Sequence, residues 1–599
     1  MVLSIELKYI PSGFKLHWLG LHIQSQKRRY DLNMKIRPSA SISKLTFSGG
    51  QEFYFKPKEK VILVGPNNSG KSQTLREITA VCQNGDKARP FILKEVKILK
   101  SGTSDDLKSY LDENALYRNG AYSYKNWKVN YDAVSIWDNH PYLTSGLSGG
   151  YIKNIDANGR LQICMQQKSI GQNDQKSKPQ HVLYDNAALT EKISCLFRQA
   201  FGQDIMFDYR GGSVIPIHVG KLPDSSLIDR VGDAYVAAVR ANPLLDQQGD
   251  GMKSYAGILF ETIVADLDIN LLDEPEAFLH PPQMRRLGET LASEVSGQLI
   301  VATHSSDIMR GFLEGTKGNV RVLRIRREGL QNLVSEAQPA VIQELWARPE
   351  LRYSNALEGV FHEETIICED DSDCRVFNAV ADYLAAKDDK SWKDTAYVPT
   401  GGKHGVKKVA EVLRNIGVPI KVVFDIDFLS EKNVVRDTVQ VFGGNWEEIE
   451  PLWTRVDAAV RSGVKPKSFE EIKDELISLI ENCNGERLPR GEITEAMKQT
   501  SSWNLLKKFG KDAIPNGEAQ SQYENLKCRL EDIGIYLVPV GEIENFCRDL
   551  GSHGPKFVNK LLTEVPFDDF RLESLRQFVS LVHKGKHAPL SGDVTKPES

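Results

Sequence analysis

Short apolar runs, each closed by glycines or acidic residues, recur along the chain and alternate with stretches of helical period. Val61–Val64 is such a run and passes into a glycine-rich turn. Ser72–Cys82 then spaces its apolar residues as one buried helix face requires. Asp268–Leu272 and Gln298–Ala302 are apolar almost throughout, the pattern of strands buried on both faces. Elsewhere in the first half the pattern predicts strands at Ser4–Lys8, Lys44–Ser48, Phe91–Leu99, Ala133–Trp137 and Val214–Val219, with helices at Thr190–Phe201, Leu227–Arg240 and Lys253–Asp266. The rhythm lapses over 345–362 and restarts with strand Thr365–Cys368, helix Ser372–Leu384, helix Val406–Ile416 and strands Ile420–Phe424 and Ile533–Val540. Residues 446–530 are polar with helical period and read as an insertion, and the chain from Ala588 reads as frayed. Strand–loop–helix repetition predicts an α/β fold. The expected units are 1–350, with an insert at about 85–225, and 360–599, with the helical insertion at about 446–530.

Composition changes this picture little. At 599 residues the chain exceeds one hydrophobic core, and 41% apolar with 26% charged residues is ordinary for a globular protein. The net charge of −4 gives no bulk signature of nucleic-acid binding, so any DNA contact must come from local basic clusters. Eight scattered cysteines without a C-x-x-C pair imply reduced thiols and a cytoplasmic protein. The opening MVLSIELKYIPSGFKLHWLG lacks the pattern of a signal peptide, and no stretch is long enough for a membrane span.

Candidate chemistry falls into two sets. Gly65-Pro66-Asn67-Asn68-Ser69-Gly70-Lys71-Ser72 has the form G-x-x-x-x-G-K-S directly after an apolar run, the context this phosphate loop needs. Gly65, Asn67, Asn68, Ser69, Gly70 and Gln73 would cradle ATP, with backbone N–H groups aimed at phosphates from a helix N-terminus. Lys71 would reach the β- and γ-phosphates, and Ser72 would ligate Mg2+. Ile269–Asp273 ends in acids: Asp273 would hold Mg2+ through water and Glu274 would polarise the attacking water. His304, closing the next strand, would sense the γ-phosphate; a lone strand-end histidine is usually structural, but this one follows the other two parts in order.

The second set is acidic. Glu369 closes an apolar strand and Asp373 follows it; Asp425-Ile426-Asp427 closes another; Glu542 and Glu544 follow a third. In a D-x-D strand end, alternation puts both carboxylates on one side. Such strand ends can converge at one edge of a parallel sheet, where α/β proteins bind ligands. So many carboxylates repel each other unless cations lie among them, and oxygen-only ligands suit Mg2+ or Mn2+. Two such ions stabilise the attacking and leaving oxygens of a phosphodiester.

The first set resembles the ABC-type ATPase family, which implies a signature segment donated across a head-to-tail dimer to the partner's ATP. Leu147-Ser148-Gly149-Gly150-Tyr151 looks the part but lies far from Asp273 and reads as a loop and a decoy. Gln248–Ser254 lies shortly before Asp273 and opens a helix. There Gly249, Gly251 and Lys253 would contact nucleotide, although Gly249 stands where the family has serine. The second set resembles a TOPRIM domain, a Rossmann-like fold. Together the two resemble the OLD family of nucleases, whose relatives include the Gabija nuclease and OLD-type effectors encoded beside retrons.

That resemblance implies Glu369, Asp373, Asp425, Asp427 and Glu544 as metal ligands, with Glu542 as the alternative to Glu544. It also implies a C-terminal catalytic lysine: Lys556, with Lys560, Lys584 and Lys586 as rivals. Lys27-Arg28-Arg29 with Tyr30 and Lys507–Lys511 are basic clusters that read as solvated faces before DNA contacts. Gly401–Gly405 reads equally as a phosphate-approaching loop or a simple turn.

The expectation is an ATP-regulated, metal-dependent DNA endonuclease, nicking or cutting both strands, that defends against phage and works as a homodimer or higher oligomer. A helicase, or a reverse transcriptase with its retron DNA, is a candidate partner. The competing expectation is an ATP-dependent nucleic-acid sensor or scaffold with a non-cutting TOPRIM domain.

Overall fold

The computed structural model describes residues 37–590 apart from 126, 172–173, 224–228, 353–354, 389–391, 484–487 and 500. The strand expected at Ser4–Lys8, the Lys27–Tyr30 cluster and the start of the Leu227–Arg240 helix lie outside these residues.

A six-stranded sheet carries the first half. Its spatial order is Gln331–Glu336, Arg321–Glu328, Lys60–Val64, Gln298–Ala302, Ile269–Asp273 and Ile152–Ile155; all neighbours are parallel except the first pair. Alternation divides each central strand between two cores. Val61, Leu63, Leu271 and Ile300 pack with Leu75 and Ile78 of the helix Lys71–Asn84. Ile62, Val64, Leu272 and Val301 pack with Leu287, Leu291 and Ile308 on the other face. Ser39–Phe47 pairs antiparallel with Glu52–Tyr54 and Leu93–Ser101 in a separate sheet.

The second half holds a four-stranded, all-parallel sheet in the order Thr395–Pro399, Glu364–Cys368, Ile420–Phe424 and Ile535–Leu537. Helices Trp446–Gly463, Phe469–Glu481, Arg490–Lys498, Ser502–Phe509 and Glu518–Glu531 intervene before the last strand. The second apolar core runs on from the first sheet into this one. Arg324 crosses the junction fully buried. Its guanidinium donates to the carbonyls of Val360 at 3.2 Å, Gly417 at 2.9 Å and His362 at 2.6 Å. Among the described residues no helix is long and apolar enough to cross a membrane.

Several expectations are corrected. Ala133–Trp137 is helical, as Tyr131–Val134 and Ser135–Trp137, because buried Val134 and Trp137 are three apart and share a helix face. Leu147–Tyr151 is not a plain loop: Thr144–Ser148 forms a short helix. The strand it leads to, Ile152–Ile155, pairs with Ile269–Leu272, so the span 85–225 is not one continuous insert. Ile533–Val540 contributes only Ile535–Leu537 to the sheet. The chain is not frayed at Ala588, which is buried and donates its N–H to the Ile420 carbonyl at 2.9 Å.

Candidate functional site

The apolar strand Lys60–Val64 delivers the phosphate loop to the start of the helix Lys71–Asn84. Gly65 adopts φ 135°, and a Cβ there would meet the Ile325 carbonyl at 2.1 Å, so the turn requires glycine. The Lys71 ammonium donates to the carbonyls of Gly65 at 2.7 Å and Pro66 at 2.8 Å. Burial brings its pKa down to about 8. A cavity of about 550 Å3 is lined by Asn67, Asn68, Ser69, Gly70, Lys71, Ser72 and Gln73. Glu274 and His304 face the same space, with Arg76, Phe91, Arg327 and Asn332.

Burial raises the Asp273 pKa against a lowering hydrogen bond from Ser72, and Asp273 Oδ1 is buried without a hydrogen bond. A buried, unpartnered carboxylate oxygen beside a serine hydroxyl fits a magnesium ion. Burial, with Lys71 nearby, brings the His304 pKa down to about 4, which leaves a neutral imidazole at neutral pH. Its backbone N–H donates to Glu276 Oε1 at 2.6 Å, while the Thr303 hydroxyl donates to Glu276 Oε2 at 2.8 Å.

Two partners of this site escaped the sequence reading. Glu276 fixes the His304 turn. Arg160 is fully buried and donates to the carbonyls of Asp273 at 3.0 Å and Glu274 at 2.8 Å. It thereby holds Glu274 at φ 45°, an uncommon conformation for a side-chain-bearing residue. Arg160 lies on the short helix Ala157–Gln162, which no motif marks. Gly249, Gly251 and Lys253 do not line the nucleotide cavity of their own chain. Gly249 caps the helix Asp250–Leu259, and Lys253 pairs with Asp250 at 2.8 Å.

The acidic residues meet at one end of the parallel sheet. Glu369 follows the strand Glu364–Cys368, and its Oε1 accepts the Asp425 N–H at 3.1 Å. Asp373 sits in the first turn of the helix Asp371–Lys387, where its Oδ2 accepts the Asp370 N–H at 3.1 Å in a capping box. Glu544 opens a helical turn rather than closing a strand, and its Oε1 accepts the Gly554 N–H at 2.8 Å.

Burial is the first cause that pushes Glu369 to about 7, Asp373 to about 7 and Asp425 to about 8. Neighbouring carboxylates add to it: Asp425 and Asp427 act on Glu369, and Glu369 and Glu544 act on Asp373. Such a cluster holds protons or a cation. Asp427 Oδ1 is buried without a hydrogen bond, although the Lys507 ammonium lies 3.2 Å away as an ion-pair partner. This all-oxygen donor set fits Mg2+ or Mn2+. Glu542, Glu544 and His553 also converge, with ligand atoms within 4.8 Å of one another. His553 was invisible to motif reading because it belongs to no spaced set.

The candidate C-terminal lysines do not pair with the acids among the described residues. Lys556 is exposed and makes no ion pair with the acids. Lys560 donates to the Leu550 carbonyl at 3.0 Å, Lys584 pairs with Asp388 at 3.2 Å and Lys586 with Asp532 at 2.8 Å. Lys507 instead reaches Asp425 at 2.7 Å, and Lys403 reaches Asp427 at 3.3 Å and Glu431 at 3.0 Å. The Lys507–Lys511 cluster, remote in sequence from the acids, thus sends one lysine into the acid cluster and is not solely a solvated face. Gly401–Gly405 proves to be the turn that aims Lys403, and the Gly402 N–H donates to the Glu369 carbonyl at 2.8 Å.

A family model described as an AAA domain (AbiEii toxin, Type IV TA system) matches residues 238–310. A model described as the Overcoming lysogenization defect protein-like TOPRIM domain matches residues 360–427. The Old nuclease of Escherichia phage P2 is 25% identical over 285 residues, which are 46% of this chain and 42% of that protein. The two domain models and the phage nuclease together support a relationship to OLD-family nucleases. The chain carries an ATPase domain followed by a TOPRIM domain. Its match spans less than half the length of the phage relative. Similar solved structures include the SMC head domain from Thermotoga maritima, at 13% identity and TM-score 0.27 over 51% of this chain and all (100%) of that one. Another is cbiO1 of Clostridium perfringens, at 14% identity and TM-score 0.25 over 52% of this chain and 92% of that one.

Proposed function

We propose that this OLD-family protein is a cytoplasmic, ATP-regulated DNA endonuclease that depends on Mg2+ or Mn2+ and serves in defence against phage. One observation carries the reading: Glu369, Asp373, Asp425, Asp427 and Glu544 gather at one sheet edge on a chain that also holds a phosphate-loop cavity.

In the ATPase domain, Lys71 turns from the loop carbonyls to the nucleotide phosphates, and Ser72 with Asp273 holds magnesium. Glu274, locked by Arg160, orients and polarises water, and the neutral His304 imidazole contacts the γ-phosphate. Gly249, Gly251 and Lys253 serve the nucleotide of a second copy, so the ATPase works as a homodimer or within a larger oligomer. In the TOPRIM domain, Glu369, Asp373, Asp425, Asp427 and Glu544 bind divalent metal, and Glu369 also receives the Asp425 N–H, which fixes the two strand ends together. The bound metal supplies charge for the attacking and leaving oxygens of a phosphodiester. The division of labour follows domain limits near 350–360.

The test is plasmid cleavage with Mg2+ or Mn2+, with and without ATP, by wild type and Asp425→Ala. Metal-dependent cutting that disappears in the variant supports the reading, and the ATP arm gives the sign of control. No cutting by wild type in any arm favours the sensor reading.

A further inference from the structure

Lys507 reaches the acid cluster from outside the sheet. It lies on the helix Ser502–Phe509, within the helical segment between the last two strands. Its ammonium lies 2.7 Å from Asp425 Oδ2 and 3.2 Å from Asp427 Oδ1, so one cation bridges both carboxylates of the D-x-D. The main chain behind it is anchored: the Asn545 side chain donates to the Lys507 carbonyl at 3.0 Å. Gly541, at φ 102°, lets that carbonyl approach so closely that a Cβ would lie 1.9 Å from it. The side chain also faces a cavity of about 440 Å3. Lys508, Arg548 and His553 bring positive or protonatable groups to its wall, opposite Asp427, Glu542 and Glu544.

We propose that Lys507 is a resident counter-cation. It holds Asp425 and Asp427 in the free protein, yields those oxygens to a divalent ion, and then contacts the scissile phosphate. This rests on the metal-dependent nuclease reading above. Two physical facts support the exchange. Attraction to the same oxygens scales with charge, so a divalent ion displaces an ammonium. A lysine stem is flexible and its head is a compact charge with three donors, so the ammonium can swing within the cavity while its backbone stays anchored. Lys508 and Arg548 line the same space and suit the flanking phosphates of a nucleic-acid strand.

A purely structural ion pair, tying the helical segment to the sheet, makes the opposite prediction for metal affinity. The experiment compares wild type, Lys507→Met and Lys507→Arg as full chains. Mn2+ alone is titrated calorimetrically without DNA or nucleotide, and plasmid cutting is then measured at saturating Mn2+. Lys507→Met is expected to bind Mn2+ roughly tenfold more tightly, because a competing cation is gone. It should cut ~100-fold more slowly, in kcat rather than KM, and Lys507→Arg should recover part of the rate. Equal or weaker Mn2+ binding by Lys507→Met overturns the counter-cation role, and unimpaired cutting overturns the phosphate role. Should that variant not fold, Lys507→Gln is read by the same titration. If wild type binds Mn2+ but never cuts, the nuclease reading fails, and the affinity difference still decides whether Lys507 competes with metal.

Discussion

The nucleotide site and the acid site solve opposite electrostatic problems. The first centres on one run of chain, Gly65–Ser72, whose lysine is held by the loop's own carbonyls, while the unpartnered acid oxygen of Asp273 comes from a neighbouring strand end. The second is assembled from separate segments at Glu369, Asp373, Asp425, Asp427 and Glu544, which repel each other once buried. The fold answers that repulsion twice. It raises carboxyl pKa values, and it brings in Lys507 and Lys403 from elements outside the motif. A site made by local backbone geometry brings its counter-charges with it, whereas a site made by convergence must recruit them.

Separating the two sites should give the largest effect. Asp425→Ala or Glu369→Ala is expected to lower plasmid cutting by at least ~1000-fold while ATP hydrolysis stays within about twofold. Lys71→Ala should abolish nucleotide binding, read by fluorescent-ATP titration, without weakening Mn2+ binding to the acids. If either variant disabled both sites, the contrast drawn above would fail.

Next in size, Glu274→Gln should slow steady-state hydrolysis ~100-fold and retain bound ATP, if Glu274 is the group that polarises water, since the phosphate cradle is untouched. A variant that hydrolyses normally would move the general base elsewhere.

A smaller effect is expected from pH. The carboxyl groups of Glu369, Asp373 and Asp425 have folded-state values of about 7, 7 and 8. Unfolded carboxyls titrate near ~4. The folded state therefore binds the extra protons, and the stability cost of these groups is absent below about pH 4 and complete above about pH 8. Mg2+ or Mn2+ should offset that cost where it is largest. Differential scanning fluorimetry should show Tm rising by roughly 2–4 °C with metal at pH 8 and by less at pH 5.5. An equal rise at both values would mean that the metal binds elsewhere.

The smallest effect belongs to Lys556→Ala, expected to change cutting less than about twofold because the side chain is exposed and pairs with none of the acids. A large loss there would restore the C-terminal lysine and weaken the case for Lys507.

Much of the architecture was legible because apolar runs ending in punctuation are sufficient for parallel strands: Val61–Val64, Ile269–Leu272, Gln298–Ala302 and Ile420–Phe424 all lie in the two sheets. Legibility failed where period was ambiguous over a few residues, as at Ala133–Trp137, and where a short helix, Thr144–Ser148, entered a segment whose sequence reads as a loop. By itself the sequence determined the phosphate loop, the strand-end acids and their order along the chain, since each depends on neighbours a few residues apart. Only the tertiary structure decided where the buried cations go. It set Arg160 on the carbonyls of Asp273 and Glu274, Arg324 on carbonyls across the junction and Lys507 between the carboxylates of Asp425 and Asp427. Such contacts join positions far apart in the chain, and no local periodicity encodes them. They follow from burying charge, which forces each buried group to find a partner wherever the fold can supply one.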